Sequence, residues 1–101
     1  MTDELKNWVE NGENAVFGNR LFHKHFGNNY LFRTSGAALV NHPLFGLWAF
    51  TEYGAIFRVP SGIKDVYQPE RPGDKLYIFT HYGLLFIYDM RTGQLEEIVE
   101  E

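Results

Sequence analysis

Apolar residues recur at helical spacing in one place only. Leu5, Trp8 and Val9 fall at positions i, i+3 and i+4 and form a single apolar stripe. Thr2 is a suitable N-cap, Asp3 and Glu4 suit the positive end of a helix dipole, and Asn11-Gly12 supplies a stop. The pattern predicts one short amphipathic helix over Thr2–Glu10, too short to stand alone and packed through Trp8 on a sheet.

After this segment the pattern turns to strands and tight turns. Ala15–Phe17 and Arg20–Phe26 read as strands around Gly18-Asn19, and Tyr30–Arg33 as a further strand. Ala37–Val40 fits either a short strand or a helical turn. The run Leu44, Phe45, Leu47 and Trp48 reads as a central strand buried on both faces, or as an edge buried in a dimer.

The strongest signal is a repeat. LWAFTEYGAIF, Leu47 to Phe57, returns 29 positions later as LYIFTHYGLLF, Leu76 to Phe86. The shared core is F-T-x-Y-G-x-x-F, with glycine where a type I turn closed by a left-handed residue requires it. Each phrase is expected to be a β-hairpin, or a strand bent by a glycine bulge. A fainter copy lies at His25-Phe26-Gly27. A last turn over Asp89–Gly93 joins strands Leu84–Tyr88 and Gln94–Val99. Between the two phrases, Pro60–Asp74 holds three of the four prolines and reads as an aperiodic connection. The expected fold is therefore α+β and mostly antiparallel β, one domain over residues 1–101. Its N-terminal helix packs on a curved sheet of about six or seven hairpin-built strands.

Composition narrows the chemistry. The 101 residues are 45% hydrophobic and 17% aromatic, which suits one β-rich core. A net charge of −4 argues against nucleic-acid binding, which needs a cationic footprint, and is compatible with capping a basic partner. With no cysteine, disulfides and thiolate metal sites are excluded. The first residues lack an apolar signal segment and no apolar run is long enough to span a bilayer, so the expected compartment is the cytoplasm.

Two constellations could carry function. His23 and His25 share one face of a strand and could hold zinc or another divalent metal, with His81, His42 or Glu52 as third ligand. His25, Glu52 and His81 occupy the same slot in the three phrases. The simpler account sends Phe22 and Phe26 to the core and leaves the histidines in water. Ser35-Gly36 and Ser61-Gly62 lack the context of an activated nucleophile and read as turns. No glycine-rich phosphate loop precedes a helix. The second constellation is Tyr67, Glu70 and Arg71 in the proline-rich connection, as contacts to a protein partner.

The reading favoured on these grounds is a small acidic, non-enzymatic protein-binding domain. It would be a stoichiometric inhibitor of the toxin-neutralising or phage-encoded antagonist type, acting by masking a partner's surface. The alternatives are a metal-dependent or small-ligand enzyme built on His23, His25, His81 and Glu52, and a structural subunit of a larger assembly. A homodimer across a sheet edge is compatible with the first and the last.

Overall fold

A computed structural model of the chain describes residues 30–42, 46–71 and 73–100, and these form eight strands and no helix. The strands are β1 (Tyr30–Arg33), β2 (Ala37–His42), β3 (Gly46–Thr51), β4 (Ile56–Arg58), β5 (Ile63–Tyr67), β6 (Lys75–Thr80), β7 (Leu84–Asp89) and β8 (Leu95–Glu100). They form two four-stranded antiparallel sheets, ordered β1-β2-β3-β4 and β5-β6-β7-β8.

This corrects the expected α+β fold with one curved sheet. The described residues are all β, and the strands divide into two sheets rather than continuing as one. Thr2–Glu10, to which the sequence assigns a helix, lies outside the described residues, as do the strands expected at Ala15–Phe17 and Arg20–Phe26 and the faint third copy. A second correction falls on the connection. Ile63–Tyr67 is a strand paired with β6, so the described residues of the connection that are free of strand are 60–62 before it and 68–71, 73 and 74 after it. A bulge between Ile63 and Asp65 breaks the period of two there.

Both aromatic phrases are hairpins. Thr51 and Thr80 close the turns: Gly54 N–H donates to the Thr51 carbonyl at 3.0 Å, and Gly83 N–H to that of Thr80 at 3.3 Å. The two glycines have φ of +85° and +84°, the left-handed geometry that a β-carbon disfavours. The threonine hydroxyls accept from Ala55 N–H at 3.2 Å and Leu84 N–H at 3.1 Å, four positions on in each case.

The likeness extends to a third strand. Glu52 N–H donates to the Gly36 carbonyl and His81 N–H to the Gly62 carbonyl, each at 2.9 Å. Ala37 pairs with Thr51 as Ile63 pairs with Thr80. Strands β2-β3-β4 and β5-β6-β7 are thus two versions of one three-stranded unit, each beginning after a Ser-Gly pair. The first unit gains β1 beside its first strand, and the second gains β8 beside its last.

The two sheets share one core. Leu39, Ala49 and Phe57 from the first meet Leu76, Ile78 and Tyr88 from the second, all buried. Phe57 and Tyr88 stack with ring centroids 4.9 Å apart. On the opposite face of the first sheet, Ala38, Val40 and Phe50 form a second buried cluster, against which Trp48 and Ile56 pack. The central strand β3 is therefore apolar on both faces and contains Leu47 and Trp48 of the expected apolar run, whose Leu44 and Phe45 lie outside the described residues. Ala37–Val40, ambiguous in sequence, is the core of strand β2. Among the described residues no helix is long and apolar enough to cross a membrane.

Candidate functional site: a clamped loop

The connection between β5 and β6 leaves and rejoins the second sheet through anchored residues. Tyr67 ends β5 and sets its ring edge-to-face against Tyr77, opposite it on β6, with centroids 6.4 Å apart. The next side chain, Gln68, reaches the other sheet. Its Oε1 accepts the N–H of Gly36 at 2.8 Å and the hydroxyl of Thr34. Pro69 is buried. The first half of the loop is fastened by its own polar and ring contacts.

The second half closes on Asp74. This residue has φ of +67°, which few non-glycine residues adopt, and the contacts around it hold it there. Its carbonyl accepts Met90 N–H at 2.8 Å, and its carboxylate pairs with Arg91 at 2.7 Å. The same carboxylate accepts the hydroxyl of Tyr53, whose ring lies 5.7 Å beneath the Arg91 guanidinium. That hydrogen bond to Asp74 raises the Tyr53 pKa above the ordinary phenol value. Three turns meet at this carboxylate: β3–β4, β5–β6 and β7–β8.

Between these anchors Glu70 and Arg71 are exposed, and neither has an ion-pair partner among the described residues. Tyr67 is 55% exposed in spite of its contact with Tyr77. The structure thus places the three residues expected to touch a partner on one short exposed stretch with fixed ends. Sequence reasoning missed Gln68 and Asp74, which hold it. The Pro-Gly-Asp triplet at Pro72–Asp74 marks a turn, but nothing in it shows that Asp74 would gather Tyr53 and Arg91.

The residues of the metal constellation are placed as follows. Glu52 and His81 are exposed at the tips of the two equivalent turns. His23 and His25 lie outside the described residues, and of His42 only the backbone is described. Among the described residues, no three His, Cys, Asp or Glu side chains gather where they could hold a metal ion. Comparison of the chain with protein-family models, curated proteins and solved structures finds no match.

Proposed function

We propose that the protein acts without catalysis, by occupying the surface of a partner protein through the loop that follows β5. One observation carries this reading: Glu70 and Arg71 are exposed, with no ion-pair partner among the described residues, on a loop fastened at Gln68 and Asp74. A loop ordered before binding loses little conformational freedom when it docks, so its contacts convert more fully into affinity. Tyrosine and arginine are also the side chains most often found to dominate such interfaces. The net charge of −4 suits a basic partner surface. A stoichiometric inhibitor of this size would work by covering what its target needs exposed.

The test is affinity capture from a lysate of the source organism, followed by measurement of the captured partner's affinity for Tyr67→Ala with Arg71→Ala. Both side chains are exposed, so the fold should survive. Loss of two hot-spot residues is expected to weaken binding by at least roughly 2 kcal/mol, about thirtyfold. Unchanged affinity would remove the loop from the interface.

A further inference from the structure

Each sheet ends in two edge strands, and the four edges differ in how well they could accept another strand. β1 has four residues and a bulge between Tyr30 and Phe32, and β4 has only three residues. β5 carries the bulge between Ile63 and Asp65. β8 is the longest, with six residues, and it keeps an unbroken register from Glu97 to Glu100 against Ile87 to Leu84. Among the described residues no strand lies beyond it. Bulges and shortness are ordinary ways to blunt a sheet edge, and β8 lacks the second and confines the first to its start.

What β8 offers is a mixture of apolar and acidic side chains. Ile98 is 51% exposed and Leu95 40% exposed, and they lie opposite Phe86 and Tyr88 on the core-facing side of the sheet. Glu97 and Val99 lie opposite Ile87 and Leu85 on the other side, and Glu100 lies opposite Leu84 on the same side as Ile98. Glu96 is paired with Lys75, whereas Glu97 and Glu100 are exposed and have no ion-pair partner among the described residues. Two copies of β8 laid edge to edge would bring their glutamates together, which disfavours self-pairing. The same charge favours an incoming strand of opposite sign.

We infer that the edge of β8, beside which no strand lies among the described residues, is a strand-addition site for an extended, basic segment of a partner protein. Main-chain hydrogen bonds of the added strand would extend the second sheet to five strands. Its side chains would be apolar beside Leu95 and Ile98 on one side and lysine or arginine beside Glu97 on the other, with Glu100 adding negative charge at the end of the strand. This inference rests on the reading of the protein as a partner-binding domain and supplies the chemistry of that partner.

The probe is a short synthetic peptide of alternating valine and lysine, titrated into the isotope-labelled protein while backbone amide shifts are followed. The largest shifts are expected in Leu95–Glu100, with affinity falling as salt rises. A peptide with the same side chains but N-methylated at alternate positions should bind at least about tenfold more weakly, because it cannot complete the ladder. Glu97→Lys with Glu100→Lys should lose the lysine peptide and take up one of alternating valine and glutamate. The idea is overturned by equal affinity for the N-methylated peptide, by shifts centred elsewhere, by no binding, or by dimerisation through β8. Should the peptide fail while the captured partner still depends on Tyr67 and Arg71, the edge assignment falls and the binding function stands.

Discussion

The hydroxyl of Thr51 donates to the carbonyl of Met90 at 2.7 Å, a buried bond between the turn of one sheet and the turn that follows β7 in the other. Its repeat counterpart Thr80 donates instead to Leu84 within its own hairpin, at 2.9 Å. Both threonines also accept the equivalent N–H, so the pair differs only in where the proton goes. Thr51→Val keeps the shape of the side chain but leaves the Met90 carbonyl and the Ala55 N–H without this partner. It is expected to cost about 2–3 kcal/mol, against about 1 kcal/mol for Thr80→Val, where only local bonds are lost. Urea denaturation of both variants measures the difference. Equal costs would mean that the bond between sheets adds nothing beyond the turn.

Three turn glycines share a backbone conformation but not a neighbourhood. At Gly54 and Gly83 a β-carbon would meet nothing within 4 Å, whereas at Gly93, φ +79°, it would sit 2.7 Å from Cδ1 of Phe57. That ring is held by its stack on Tyr88 and cannot swing aside without opening the core. Substitution by alanine at Gly54 or Gly83 should cost roughly 1–2 kcal/mol of backbone strain. Gly93→Ala adds an overpacking cost of about 1–3 kcal/mol. Asparagine, which tolerates the left-handed region, should recover part of the loss at Gly54 and none of it at Gly93. Thermal denaturation of the five variants orders them. A Gly93→Ala protein as stable as Gly83→Ala would contradict the contact.

The hairpins were legible because their cause is local: a glycine with positive φ three positions after a threonine needs nothing distant to define it. The matching Ser-Gly starts were harder to see. Gly36 precedes Thr51 by 15 positions and Gly62 precedes Thr80 by 18, so an alignment at one offset separates them. β5 was obscured by its bulge, which puts Lys64 and Asp65 where alternation expects an apolar residue, and by the prolines around it. β2 gives no alternation because both of its faces are buried. Division into two sheets depends on contacts between distant positions, such as Phe57 on Tyr88, and no local pattern encodes them. The candidate loop was visible through its prolines and charges. Its clamps were not, because Gln68 bonds to Thr34 and Gly36 more than 30 positions away.

The core also makes stability depend on alkaline pH. Tyr88 is buried against Phe57, and loss of water around its hydroxyl raises its pKa above the phenol value of 10.0, with a smaller contribution from Tyr82. In the unfolded chain the phenol titrates near 10. Below that value the hydroxyl is protonated in both states, and folding does not depend on it. As pH rises past 10 the unfolded chain releases the proton first, so the unfolded state is favoured and stability falls until the folded pKa is passed. Denaturation of the wild type at pH 9 and at pH 11 should therefore show a loss at the higher value. Tyr88→Phe keeps the ring stack and removes the proton, so it should retain more of its stability across the same interval. If the variant declines as steeply as the wild type, the alkaline loss belongs to other groups, and burial of Tyr88 contributes nothing to it.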